Sequence, residues 1–465
     1  MKHLDEFKDR IQKCADALKE VKGPVRILSH LDSDGVCAGA ILVRMLTRMG
    51  IQYSASMYPQ LTSSRLKSLP KDTCCIFSDF GSSHLEEIRK RFTLPVFVLD
   101  HHIHLQKPPE NIHYVNPHEF NVDGGSEISS SGIAFLLAQA VDQKNQDMAH
   151  VALVGAIGDF QANDEFKGLN KEILKIAETQ KLIELTRGVR FFGIQSRPLH
   201  KLLAYSSELY IPGVSGNERE ALGFLRNIGI EPRVNNSWKF IKDLSSEEKK
   251  QLISGIVKAR LSEVDPLDIY TRIYKLPNND GVYSDAREFS VVLNACGRLN
   301  KASVGIGICL GDKLMMEKGK LILTKYKREI VEALNWISRE RESKTSKYVI
   351  ERDNCLLINA KDRIPSSMIG TIASVLVRSG HVPDDTFVLG LAQNLDDTTK
   401  VSLRVAGSGK YNLRKLVLDL TKGMGLEAGG HRSASGALIP TDKEGLLLEN
   451  AKEAFHLINI EEDML

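Results

Sequence analysis

Three side chains able to hold a cation fall within five residues at His30-Leu31-Asp32-Ser33-Asp34, and Gly35 follows them. The preceding VRILS (25–29) reads as a buried strand, and a helix is expected from Gly35 to Met49, ended by Gly50. Open parallel sheets bind ligands just beyond the carboxyl ends of their strands. In extended chain, alternate side chains point the same way, so His30, Asp32 and Asp34 would converge and Gly35 would let the chain turn. Taken alone, this segment is better explained as a polar turn with a capping aspartate.

The pattern recurs, which changes the balance. Asp79 ends CCIFSD (74–79), Asp100 ends PVFVLD (95–100) with His101 and His102 behind it, and Asp159 follows the apolar run Val154–Gly158. Four segments thus deliver Asp or His at one expected sheet edge, and a metal centre becomes the better explanation. Oxygen donors with some imidazole and no thiolate disfavour structural zinc and suit manganese first, magnesium second. His30, Asp32, Asp34, Asp79, His101 and Asp159 are too many for one catalytic ion. They suit two divalent cations about 3.5–4 Å apart sharing a carboxylate, a device that activates water against a phosphate ester.

Two later motifs could bind an anion. In Glu427-Ala428-Gly429-Gly430-His431-Arg432, paired glycines let backbone approach a phosphate to which His431 and Arg432 can donate. A glycine turn with an incidental basic pair explains this segment equally well. Asn294-Ala295-Cys296-Gly297-Arg298 presents an arginine from a small-residue stretch, for which a plain surface arginine is the simpler account.

The elements that must position these residues follow from periodicity. The 465 residues exceed one ordinary domain, and 42% hydrophobic with 26% charged residues excludes a disordered chain. The expected fold class is α/β. Residues 1–165 alternate strand and helix, which predicts a doubly wound parallel sheet. An amphipathic helix at 1–22 carries Phe7, Ile11, Cys14 and Leu18, and further helices are expected at Ser131–Val141 and Met148–Ala156. Residues 166–345 read as a charged helical linker or insertion without strand rhythm. Alternation resumes in 346–465 with KYVIERDNCLLINA, TFVLGLAQ and TTKVSLRVAG, a second, smaller α/β domain.

No apolar run approaches the roughly 20 residues needed to cross a bilayer, and the N-terminus lacks an apolar signal core. A cytoplasmic protein without a membrane partner is expected. Seven scattered cysteines without CxxC spacing fit a reducing compartment, with Cys74-Cys75 packed in a strand. A net charge of +3 permits a polyanionic partner without requiring one. His104, His113 and His118 read as solvated loop histidines.

Taken together, SHLDSDG, the aspartate of FSDFGSS, DHH itself and the aspartate of GAIGD resemble, in order, the four N-terminal motifs of the DHH phosphoesterase superfamily. GGH resembles the associated DHHA1-type domain, and REFSVVLNACGRLNKASVGIGICLGD resembles the RecJ branch. Length and helical middle are most similar to archaeal RecJ-like nucleases, including the GINS-associated type. The resemblance implies that His30 and Asp32 hold one ion, that Asp34, His101 and Asp159 hold the other, and that Asp79 bridges them. It implies that His102 contacts the scissile phosphate while Asp100 orients the histidines. Arg298 and His431, with Asn294, Arg404, Gly429 and Gly430, would bind substrate.

The activity implied is exonucleolytic cleavage of single-stranded DNA or RNA to mononucleotides in replication and repair, alongside a GINS-type replisome complex or a helicase. Two alternatives are an oligoribonuclease or small-nucleotide phosphatase of the same superfamily, and a replisome scaffold with residual activity. Bacterial RecJ proteins add an OB-fold after the second domain, whereas this sequence stops about thirty residues after GGH. A stacking platform for long strands would then come from elsewhere.

Overall fold

Helix α1 (Lys2–Lys19) buries Phe7, Ile11, Cys14 and Leu18, as its spacing predicts. Strands and helices then alternate: β1 (Val25–His30), α2 (Ser33–Met49), β2 (Tyr53–Tyr58), α3 (Ser63–Ser68), β3 (Cys74–Ser78), α4 (Leu85–Arg91) and β4 (Val96–Leu99). They are followed by β5 (Ile112–Val115), α5 (Ser130–Val141), α6 (Ala149–Gly158) and α7 (Gly168–Thr179). The five strands form a sheet of order β2-β1-β3-β4-β5, parallel throughout. This is the predicted doubly wound arrangement.

The computed structural model describes residues 2–103, 108–162, 165–205, 209–262, 268–343, 345–352, 354–378, 382–407, 411–424, 428–430 and 434–463. The chain divides into two compact units, Met1–Leu323 and Thr324–Leu465.

Burial explains why these segments became strands. Every residue of β3 and β4 is buried, and Phe77, Val98, Ile88 and Phe92 pack in one cluster on the face covered by α3 and α4. Each fully buried side chain of this size contributes about 1.5–3 kcal/mol. Helix α2 is buried on most of its circumference and is closed by Gly50 in the left-handed conformation. Its first residue is Ser33, two earlier than predicted, because Asp32 caps it by accepting from the Gly35 N–H at 3.0 Å.

Strand β5 was not anticipated, and it corrects the view of a solvated histidine loop. His113 lies on it with its ring stacked on Phe97 at 4.7 Å, and His118 is half-buried. His104 lies outside the described residues.

The middle region needs a further correction. It contains strands as well as helices: β6 (Glu184–Val189), α8 (Leu199–Tyr205), α9 (Glu218–Asn227), β7 (Arg233–Val234), β8 (Ser237–Trp238), α10 (Ser246–Ala259) and β9 (Tyr270–Lys275). β6 and β9 pair antiparallel, and β7–β8 form a hairpin. Between them Leu199, Leu202, Leu225, Leu252 and Ile256 build a separate core. The ladder was illegible because ELTRGV and YTRIYK are mostly exposed or half-buried and carry no clear apolar alternation. Helices α11 (Ala286–Arg298), α12 (Ala302–Cys309) and α13 (Lys313–Glu342) follow.

The second unit comprises β10 (Val349–Arg352), β11 (Cys355–Asn359), α14 (Ser366–Arg378), β12 (Phe387–Gln393), β13 (Thr398–Val405), α15 (Leu413–Leu420), β14 (Ala428–Gly430), β15 (Ser435–Pro440) and α16 (Glu444–Asp463). Its mixed sheet runs β10-β11-β12-β13-β15-β14, parallel only between β11 and β12. This is the smaller α/β domain expected.

Candidate metal centre

β1 pairs with β2 on one side and β3 on the other, so chain connections diverge there, and such a switch point opens a crevice at the strand ends. His30 ends β1, Asp79 follows β3, and Asp100, His101 and His102 follow β4. Asp159 arrives from the helix expected at Met148–Ala156: that helix is α6, and Asp159 caps its C-terminus. Asp32 and Asp34 do not alternate along extended chain, since Asp32 is the helix cap and Asp34 lies in the first turn of α2. The capping aspartate and the candidate ligand are therefore the same residue. Gly35 is needed for space, because a Cβ there would run into the His30 backbone.

Asp79 sits at the middle of the cluster. Its backbone is left-handed (φ 63°), which aspartate tolerates better than most residues, and its N–H donates to the Leu99 carbonyl at 3.0 Å. Its Oδ2 lies 3.5 Å from His30 Nδ1 and its Oδ1 lies 3.4 Å from His101 Nε2. Asp32 Oδ2 is 2.8 Å from His30 Nδ1, and Asp159 Oδ2 is 3.7 Å from His101 Nε2. Among the described residues, two groups offer ligand atoms within 4.8 Å of one another: His30, Asp32 and Asp79, and Asp79, His101 and His102. Asp79 belongs to both.

The supporting contacts orient these side chains. His101 Nδ1 donates to the Gly124 carbonyl at 2.6 Å, so in the neutral ring Nε2 carries no proton and faces Asp79. Asp100 is buried; its Oδ1 accepts from His102 Nδ1 at 2.7 Å and its Oδ2 from the Ser82 N–H at 3.0 Å. His118 Nε2 donates to the His101 carbonyl at 3.0 Å, and Asn116 Nδ2 donates to that of His102, also at 3.0 Å. Gln161, also buried, donates from Nε2 to Asp159 Oδ2 at 3.0 Å and to the Gly124 carbonyl at 2.8 Å.

Asp34 lies beneath the groups just named. Its carboxylate accepts from the N–H groups of Ser130 and Ser131 at 2.8 and 3.1 Å, at the N-terminus of α5, and from Ser131 Oγ. Both Ser131 contacts fall on Oδ1, whereas Oδ2 accepts only the Ser130 N–H, so Oδ2 keeps a lone pair with which Asp34 can ligate. Ser82, Ser130, Ser131, Asn116 and Gln161 were not singled out in the sequence, and His118 was read there as a solvated loop histidine. Only the serines left a trace, as a run opening a predicted helix.

Electrostatics show what the cluster lacks. Burial pushes the Asp34 carboxyl up to about 7, with Asp79 adding to burial and His101 opposing it. Burial also raises Asp159, with His101 opposing and Asp79 adding. Burial lowers His30, but Asp32 and Asp79 outweigh it and bring the imidazole to about 10. The His101 imidazole is likewise driven well up, burial being overcome by Asp159 and Asp79. Without a cation, four carboxylates so close draw protons onto these imidazoles and onto Asp34 for their positive charge. Divalent cations fit that need and that donor set.

The predicted substrate residues are divided between the units. Asn294 on α11 accepts the Ser33 N–H at 3.0 Å, so it braces the first loop. Arg298 ends the same helix; burial works to raise the Asp32 carboxyl, but His30, the Gly35 N–H and the Arg298 charge together bring it below the usual range. Arg404, on β13, bonds Ser374 Oγ at 2.9 Å and the carbonyls of Leu403 and Ser435. Gly429 and Gly430 form β14, opposite Gly436 and Ser435. His431 lies outside the described residues.

Comparison with known proteins agrees with this architecture. Residues 24–158 match the DHH family N-terminal domain, 191–271 the DHH-CID domain and 353–457 the DHHA1 domain. A Methanocaldococcus jannaschii protein described as uncharacterized is 32% identical over 97% of this chain and 98% of its own length. This chain belongs to the DHH/DHHA1 family. Among solved structures, the DHH protein is similar to CDC45 from Entamoeba histolytica (12% identity, TM-score 0.63, 97% of this chain and 98% of that one). It is also similar to exonuclease RecJ bound to manganese (16%, TM-score 0.56, 96% and 94%). With the Mn2+ complex of RecJ from Thermus thermophilus the TM-score is 0.57 at 16% identity; 96% of this chain is covered, but only 55% of that one. At such identities the likeness is one of fold. No helix among the described residues is long and apolar enough to cross a membrane.

Proposed function

We propose that this DHH protein is a two-metal exonuclease that hydrolyses phosphodiester bonds of single-stranded DNA or RNA to mononucleotides. The observation that carries the reading is Asp79, whose two oxygens face different histidines and which belongs to both potential ligand groups. His30, Asp32, Asp34, Asp79, His101 and Asp159 would hold two divalent cations, manganese or magnesium. When bound, these supply a Lewis acid for the phosphoryl group and lower the pKa of attacking water.

The chain's own residues do the rest. Asp100 holds His102 by Nδ1; burial works against the protonated ring, but the Asp100 charge outweighs it, and in that ring Nε2 can donate to a non-bridging phosphate oxygen. Arg298 supplies fixed positive charge beside Asp32 for the substrate backbone. Arg404, Gly429, Gly430 and His431 of the second unit are proposed as further phosphate contacts. Work in replication or repair in the cytoplasm, beside a helicase or a GINS-type complex, is the setting proposed.

The test is cleavage of 5′- and 3′-labelled single-stranded DNA and RNA with manganese. A ladder of mononucleotide steps is expected, absent in Asp79→Ala. Turnover retained in that variant would sink the reading. The fold likeness to CDC45 favours a second reading, a scaffold; it predicts wild-type protein without turnover on any of the four substrates.

A further inference from the structure

Helix α6 ends at the centre itself, and the way it ends is unusual. Its last turn closes with the Phe160 N–H on the Ile157 carbonyl at 3.1 Å and the Gln161 N–H on the Ala156 carbonyl at 2.9 Å. In this cap the residue after the C-cap is left-handed, a position normally given to glycine because a side chain is strained there. Here Phe160 holds it, with φ 59°. The other non-glycine residues with positive φ among those described are Asp, Asn or Lys, so Phe160 is the one apolar side chain in that conformation.

Phe160 is also 61% exposed. A large ring so open to water gains little from burial, and it does not help the helix cap. Both its chain neighbours belong to the centre: Asp159 faces His101, and Gln161 holds Asp159. Ile103, 59% exposed, follows His102 on the β4 side, a second apolar side chain next to a candidate site residue. Strain of this kind gathers at functional sites.

We propose that Phe160 is the stacking surface for the nucleobase of the nucleotide whose phosphate the centre handles. The inference rests on the reading of the centre as a nuclease site. Aromatic rings beside a phosphate-binding site take bases by their faces, which tolerates any sequence and suits a strand trimmed one nucleotide at a time. Phe160 would thereby set a requirement for a base on the terminal nucleotide, a positioning role separate from bond cleavage.

The test compares wild type, Phe160→Gly and Phe160→Trp on oligonucleotides whose terminal nucleotide is normal or abasic, with manganese. Glycine suits the left-handed cap, so Phe160→Gly should keep or raise Tm. On the normal strand it should lose roughly 5- to 150-fold in kcat/KM, the range for one stacked base. Removing the base should cost wild type a similar factor and should cost Phe160→Gly almost nothing further. Phe160→Trp should keep the preference. Independent losses that multiply overturn the proposal.

A second measurement needs no turnover. Terminal 2-aminopurine, placed at either end in EDTA, should be quenched by wild type at one end and left bright by Phe160→Gly. Equal quenching by both proteins, or none by wild type, overturns stacking. Quenching by wild type alone, without cleavage of any strand, would keep the stacking role and discard the nuclease reading.

Discussion

Gly297 on α11 packs so tightly against Leu31 that a Cβ built on the glycine would overlap the Leu31 carbonyl oxygen. Helix α11 is thus the wall against which the loop from His30 to Asp34 is set, and Asn294, one turn earlier, receives the Ser33 N–H. Gly297→Ala should push that loop and cost about 1–3 kcal/mol as an overpacking change. Thermal unfolding together with manganese titration checks this; unchanged manganese affinity would show that the wall does not shape the site.

Gln161 donates simultaneously to Asp159 and to the carbonyl that fixes His101. Gln161→Glu keeps the shape but sets acceptor against acceptor. A loss of about 10–100-fold in metal affinity or activity is expected, as for other partners of ligating groups. Calorimetric manganese titration separates this from simple destabilisation.

Asp100→Asn should leave the backbone anchor at Ser82 in place while removing the charge opposite His102. On the proposed mechanism kcat should drop about 10–100-fold with little change in KM. A rise in KM alone would move His102 from bond cleavage to ground-state binding.

Adding manganese at about 100 times its Kd should stabilise the wild-type protein by about 2.7 kcal/mol. Asp79→Ala, which removes the residue common to both groups, should abolish that shift. Differential scanning fluorimetry with and without EDTA reads it directly.

Glu444 predicts the acid behaviour of the second unit. Burial alone would raise its carboxyl, but Lys361, Thr399, Asn359 and Gln393 all donate to it and hold it below the usual range. A depressed folded pKa gives stability that is present above the unfolded pKa, about 4.3, and is lost as pH falls through the folded value. Glu444→Gln should remove about 1–2 kcal/mol at neutral pH and flatten that acid limb. Trp336, the tryptophan of the second unit, reports it in a Trp238→Phe background.

Much of this was written in local pattern. Short buried strands ending in Asp or His announced the sheet and its reactive edge, because burial on both faces forces continuous apolar runs and the polar residue marks where burial stops. The middle ladder escaped notice because Leu185 and Arg187 of β6 sit in a thin, solvent-exposed pair of strands where side-chain type is barely constrained. β5 escaped because IHYV is only four residues long and stands beyond a proline-rich stretch.

By itself the sequence determined which candidate side chains stand at strand ends and helix caps, since those positions are set by neighbours a few residues away. Only the tertiary structure decided that Asp34 is anchored on Ser130 and Ser131 nearly a hundred positions later, and that Gln161 reaches back to the Gly124 carbonyl. Those contacts join residues distant in sequence by hydrogen bonds that any of several polar side chains could make. No local periodicity encodes such a choice; it is settled when the helices pack.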